Sequence, residues 1–176
     1  TSAKTLSEST EDRQCTLADF RTGDSMFDTL HDKCAAFRDN GAGGRKKLAE
    51  RGINVFDQAY KEIPGSNPKR YTTAYDGQCD SELTRLYDDL LRDVPGLTYS
   101  LAVDTNGYAP AHNGAFSKAP SGDPAADLVN CRHKRIFNDP VAIKLARNQK
   151  SSLFQTYVRD TGEILNDLSM PIVING

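Results

Sequence analysis

The chain has 176 residues and a formal net charge of −2. That length suits one domain, or one domain with a helical extension, and it buries a core without help from disulfides. Near-neutral charge removes the electrostatic case for nucleic acid or an anionic membrane surface, and no run of about 18 apolar residues is present to span a bilayer.

Residues 1–16 are polar and rich in Ser, Thr and Glu, and they read as a frayed start or the exposed end of a helix. From Leu17 apolar residues recur at helical spacing through Phe20, Phe27, Leu30, Ala35 and Phe37, which predicts a helix that Gly23 weakens. Asn40, Gly41, Gly43 and Gly44 predict its stop. A second helix is expected from about Arg45 to Tyr60, followed by a loop at 63–68 with two prolines. A third is expected over 80–93, on Leu83, Leu86, Leu90 and Leu91.

After Pro95 and Gly96 the period changes to two. Residues 97–104 predict a strand, the Asn106–Gly107 pair a tight turn, and 108–112 a return strand. Short helices are expected over 125–137 and 139–147, the second with Asp139 as N-cap and Pro140 at its first position. Strands over 152–159 and 164–173, joined by a turn at 160–162, complete the chain. Helices followed by hairpins predict an α+β fold with a small antiparallel sheet. The helical connector is expected on one face and the long N-terminal helix on the other.

Cysteines stand at 15, 34, 79 and 131 without CxxC or CxxCH spacing, which leaves free thiols with at most one disulfide, Cys15 with Cys34 being one pairing. Cys131 and His133 are candidate metal or haem ligands, but at i and i+2 on a helix they point about 200° apart.

The strand 154–159 carries Gln155, Tyr157 and Arg159 on one face and Phe154, Thr156 and Val158 on the other. The polar set is either a solvated face or the wall of a pocket. Arg132 and Arg135 are three apart and, on a helix, share a face; they read as a solvated basic face or as a clamp for a carboxylate. His112 shares a strand face with Tyr108, and Asp167 and Ser169 alternate with Leu168 and Met170. Asp104 caps a turn or accepts from a ligand. No triad, metal cluster or phosphate loop is present, so catalysis is not expected.

The segments 56–65 (FDQAYKEIPG), 103–113 (VDTNGYAPAHN), 134–139 (KRIFND), 155–163 (QTYVRDTGE) and 167–172 (DLSMPI) together resemble the extracytoplasmic sensor domains of bacterial methyl-accepting chemotaxis proteins with a PAS-like, single-Cache fold. The resemblance covers roughly residues 54–176, behind a helical extension at 1–53. It implies a five-stranded antiparallel sheet around a ligand cavity, a periplasmic location, membrane segments outside this fragment and a homodimer. It also implies that binding a small molecule, such as a short carboxylate or urea, signals across the membrane. On that reading Arg132 and Arg135 hold the anionic end of the ligand. Tyr157, Gln155 and Asp167 orient it, and His112 and Tyr108 line a wall. No cofactor is expected.

Two departures from the family open alternatives. Cys131 and His133 replace residues usual there, so a haem- or metal-based redox or gas sensor, with His112 and Met170 as further candidate ligands, is the alternative function. The family's usual last strand is also missing after residue 176, so an unpaired sheet edge is expected, with partner-strand pairing, a swap or a distorted edge as the outcome. A third reading is a dimerisation domain joined through the N-terminal helix, its pocket empty.

Overall fold

The computed structural model describes residues 11–18 and 24–173, with side chains from Asp28 onward. In chain order the elements are β1 (Glu11–Ala18), α1 (Asp24–Glu50), β2 (Lys61–Glu62), β3 (Tyr71–Thr72), α2 (Asp76–Asp93), β4 (Tyr99–Asp104), β5 (Tyr108–Ala109), a 3-10 turn (Gly114–Phe116), α3 (Pro124–Asn130), β6 (Arg135–Ile136), α4 (Pro140–Ala146), β7 (Leu153–Val158) and β8 (Ile164–Val173). The class is α+β, and every strand pair is antiparallel. The main sheet has four strands in the order β4-β1-β8-β7, and β2-β3 and β5-β6 form two small ribbons.

The start of the chain differs from expectation. Residues 11–18 are a central strand, paired with β4 from Arg13↔Asp104 to Ala18↔Tyr99 and with β8 from Glu11↔Val173 to Ala18↔Asp167. An extension over 1–53 set apart from a domain at 54–176 is therefore not what forms, because residues 11–18 fill the middle of the sheet. β8 lies between β1 and β7, and among the described residues the sheet's edges are β4 and β7.

The helix α1 also runs through its expected stop, since Gly41, Gly43 and Gly44 all lie inside it. Each glycine costs a helix interior about 1 kcal/mol relative to alanine. Burying Leu30, Cys34, Phe37 and Leu48 on the sheet outweighs this, at roughly 1.5–3 kcal/mol for a large apolar side chain. The helix then ends at Glu50, and Gly52 takes a positive φ of 77°. The expected helix to Tyr60 gives way to a loop. The outward face of α1 carries the exposed Asp28, Asp32, Lys33, Asp39, Lys46 and Lys47, a solvated surface rather than an apolar seam.

α2 begins one turn earlier than its leucines suggest and buries Cys79, Leu83, Tyr87 and Leu90. Its Tyr87 packs edge-on against Phe37 of α1 and bonds to β4 through the Ala102 N–H and the Ser100 hydroxyl. Both long helices thus cover the same face of the sheet, α1 over β8 and β1 and α2 over β4. The connector 108–148 crosses the opposite face.

Two further local expectations fail. β5 pairs with β6, not back onto β4, so 97–112 is no hairpin. The cause is Asp104, wholly buried, whose Oδ1 accepts from the Asn106 and Tyr108 N–H groups and steers the chain away; its other oxygen accepts from the Tyr60 hydroxyl. The expected helix over 125–137 ends at Asn130. Lys134 adopts φ 63°, which no helix tolerates, with its ammonium held by Asp76 and Asp80.

Candidate functional site

Between the sheet and the connector lies a cavity of about 100 Å³. Its sheet side is made by Tyr99, Leu101 and Val103 of β4, Gln155 and Tyr157 of β7, and Asp167 of β8. Its other side is made by His112, Phe137 and the α4 residues Val141, Ala142 and Leu145. Asp139 caps α4, accepting from the Val141 and Ala142 N–H groups, and so fixes that wall. Arg132, Arg159 and Asp160 close one end.

The polar face of β7 is therefore the inward one. Gln155 and Tyr157 are half-buried and Arg159 is 6% exposed, whereas Phe154 and Val158 face out. The apolar floor from β4 follows from the same two-residue period.

Arg132 and Arg135 do hold a carboxylate, and it is the chain's own Asp160. Arg132 Nη1 donates to Asp160 Oδ1 at 2.7 Å and Arg135 Nη2 donates to Oδ2 at 2.9 Å. Both guanidiniums stack on Phe137, at 5.2 and 4.8 Å. They meet without a helix, because Arg132 leaves α3 and Arg135 sits in β6. Only Arg132 reaches the cavity. The second guanidinium there is Arg159, stacked on Tyr99 and Phe116 at 5.1 Å each and paired through Nη1 with Glu163 at 3.0 Å.

Hydrogen-bond donors outnumber acceptors at this end. Arg132 Nε, Arg159 Nε and Arg159 Nη2 are buried N–H groups without partners. The hydroxyls of Tyr99 and Tyr157 bond to each other, which uses one of their two hydrogens and leaves the second. His112 Nδ1 accepts from the Asn113 N–H at 2.8 Å, so its proton sits on Nε2. Burial, then the nearby Arg132 and Arg159, push the His112 pKa well below its ordinary value and keep the ring neutral. Burial also raises the Tyr157 hydroxyl to about 12.

The other end holds Asp167, 1% exposed, with Oδ1 unpartnered. Burial pushes its carboxyl up to about 8, against the opposing pull of Gln155. Ser169, fully buried on the same face of β8, has an unpartnered hydroxyl.

Of the residues expected in the site, His112, Arg132, Gln155, Tyr157 and Asp167 line one cavity. Arg135 stands behind it. Tyr108 belongs elsewhere: its ring packs on Tyr60 at 5.0 Å and its hydroxyl donates to Asp76 at 2.6 Å. Asp104 is the turn cap already described. Tyr99, Arg159 and Asp160 are the additions; alternation along 154–159 points to Arg159, but nothing in the sequence marks Tyr99 or Asp160.

The expected metal and haem candidates do not converge. His133 Nε2 accepts from Arg70 Nη1 at 3.1 Å, and the Cys131 thiol is buried with its pKa raised by burial. Drug-sized ligands need roughly 300–1,000 Å³, so a cavity of about 100 Å³ does not fit a porphyrin. Cys79 and Cys131 are free thiols, and the expected Cys15–Cys34 pairing involves a side chain outside the described residues. No helix of the described residues is long and apolar enough to cross a membrane.

No protein-family description, curated protein or solved structure matches this chain.

Proposed function

We propose that this chain is the ligand-binding sensor domain of a bacterial chemotaxis receptor, of the PAS-like single-Cache kind, and that its cavity takes a small carboxylate. One observation carries the ligand class: Arg132 and Arg159 both line the cavity, and three of their guanidinium N–H groups are buried without a partner. A carboxylate only accepts hydrogen bonds and offers about four lone-pair sites, so it complements a donor-rich end. Charge points the same way. Among the described residues at this end, Arg132 and Arg135 share Asp160 while Arg159 pairs with Glu163, so the cluster carries one positive charge in excess.

Size limits the ligand. An apolar cavity of about 150 Å³ holds benzene, so about 100 Å³ suits six or fewer non-hydrogen atoms. The receptor assignment rests on the five resembling segments. Two of them, 155–163 and 167–172, contribute cavity residues on one face of the sheet, and 167–172 also supports α1 on the other. Ligand contacts at Asp167 are one strand's thickness from the Leu168 and Met170 side chains beneath α1. Binding shifts the helix arrangement by no more than the ligand's differential affinity for the two states.

A thermal-shift panel of acetate, propionate, lactate, urea and amino acids tests this. A carboxylate at about 100 times its dissociation constant adds roughly 2.7 kcal/mol, and Arg159→Gln should abolish that shift. Absence of any shift with carboxylates, or an equal shift in the folded Arg159→Gln protein, would overturn the ligand class.

A further inference from the structure

A second hollow, of about 260 Å³, opens between the loops 63–68 and 120–124 and shares no residue with the cavity under the connector. Its rims carry Pro64 and Pro68 on one side and Pro120 and Pro124 on the other, and its floor is made by the buried Arg70, Asp127 and Cys131. Arg70 is 8% exposed, so its charge is largely desolvated. Its Nη1 donates to His133 Nε2 at 3.1 Å. That partner is neutral, because burial first, and then Arg70 itself, lower the His133 pKa to about 4. No carboxylate among the described residues forms an ion pair with Arg70. Asp127 lines the same hollow, but its oxygens accept from the Ser121 N–H and hydroxyl at 2.8 Å each and from the Gly122 N–H at 3.2 Å. A guanidinium buried without a contacting anion is costly, and most of its N–H donors here have no protein acceptor. We propose that this hollow is a second binding site and that it takes an aromatic monocarboxylate of benzoate size, with the carboxylate on the Arg70 fork and the ring between the proline rims.

The chemistry of the walls selects that class. A planar carboxylate meets a guanidinium by two parallel hydrogen bonds. The Asp127 carboxyl is held below the usual range, by Ser121 most and by Arg70 to a smaller degree, so it is ionised. A second negative charge on the ligand would face it, which disfavours a dianion such as phosphate. Proline has no N–H to offer, so the rims complement carbon rather than oxygen, and proline rings pack well on aromatic faces. The Cys131 thiol, 1% exposed, adds a small apolar surface to the floor. A cavity of about 150 Å³ holds benzene, so about 260 Å³ accommodates a ring with its carboxylate. The connector cavity of about 100 Å³ does not, and size therefore separates the two sites.

Titration calorimetry of the full chain at pH 7 with benzoate, benzamide and inorganic phosphate is the test. Benzamide keeps the ring and loses the charge. Charge-assisted hydrogen bonds in a desolvated site correspond to at least about a tenfold difference, so benzoate should bind at least about tenfold tighter than benzamide, and tighter than phosphate. Arg70→Gln should remove that advantage, whereas Arg159→Gln, which alters only the connector cavity, should keep it. Pro120→Asp sets a negative charge on an exposed rim position and should weaken benzoate several-fold. Circular dichroism establishes that the variants are folded. If Arg70→Gln is not, Pro120→Asp and the benzamide comparison still decide. No binding of benzoate, equal affinity for benzoate and benzamide, or benzoate binding unchanged in folded Pro120→Asp overturns the site. Phosphate binding as tightly as benzoate overturns the aromatic class. Benzoate binding that survives in folded Arg70→Gln and is lost in Arg159→Gln places the ligand under the connector and overturns the inference, while leaving the small-carboxylate reading of that cavity standing.

Discussion

Asp160 Oδ1 accepts a hydrogen bond from Arg132 Nη1 at 2.7 Å, and this contact ties the β7–β8 turn to the connector across the mouth of the cavity. Burial pushes the Asp160 carboxyl up, but Arg132 and Arg135 together outweigh burial and hold it below the usual carboxylate range. Asp160→Ala strands the 95%-buried Arg132 side chain. Because Asp160 is one-third exposed, the loss should fall below that of a fully buried pair, at roughly 1–3 kcal/mol. Its folded pKa is depressed, so the contribution is present above the unfolded value near pH 4 and is lost as pH falls through the folded one. Urea unfolding of both proteins should show the full gap at pH 6 and a narrowed one at pH 3. A gap independent of pH would mean that the ion pair is not its source.

Asp167 behaves in the opposite sense. Its folded pKa of about 8 lies above an unfolded value near 3.9. Between those values the folded state binds the extra proton, so stability falls as pH rises through this window and levels off above it. Asp167→Asn cannot ionise and escapes the loss. Its melting temperature relative to the unaltered protein should therefore climb steadily from pH 4 to pH 8. Parallel melting curves across that range would show that Asp167 is not held protonated by its surroundings.

These two carboxylates also mark where the sequence is readable. Asp167 and the inward set Gln155 and Tyr157 follow from strand alternation, a local pattern. The α4 cap at Asp139 and Pro140 and the turn at 160–162 are equally local. Asp160 is not legible, because its partners are 25 and 28 residues away and arrive from a ribbon and a loop. The Arg132–Arg135 spacing suggests a helix, but Lys134 at positive φ with two carboxylates on its ammonium decides otherwise. β1 is the largest omission. Residues 11–18 carry no clear period, and their strand exists through pairing with 99–104 and 167–173, contacts that no local window contains.

The glycines of α1 show a local signal overruled. Alanine at Gly43 or Gly44 would place its Cβ with nothing within 4 Å, and neither glycine has a positive φ. Each substitution removes backbone freedom from the unfolded chain and should stabilise by roughly 0.4–1 kcal/mol. The double variant Gly43→Ala/Gly44→Ala should melt several degrees higher. A lower melting temperature would mean that α1 needs to bend there.

Gly107 is the contrary case. It takes φ 81°, and a Cβ there would stand 1.9 Å from the Phe137 carbonyl oxygen. That carbonyl is backbone and cannot rotate aside. It belongs to the same crossing in which the Phe137 N–H donates to the Gly107 carbonyl at 2.9 Å, holding the Phe137 ring beneath Arg132 and Arg135. Gly107→Ala combines left-handed strain, about 1–3 kcal/mol, with forced separation of these two strands. It should destabilise the chain by at least that amount and displace Phe137 from the cavity wall. Chemical denaturation reads the first effect, and loss of the carboxylate-induced thermal shift in the protein that remains folded reads the second. Unfolding energetics within about 0.5 kcal/mol of the unaltered protein would contradict this close approach.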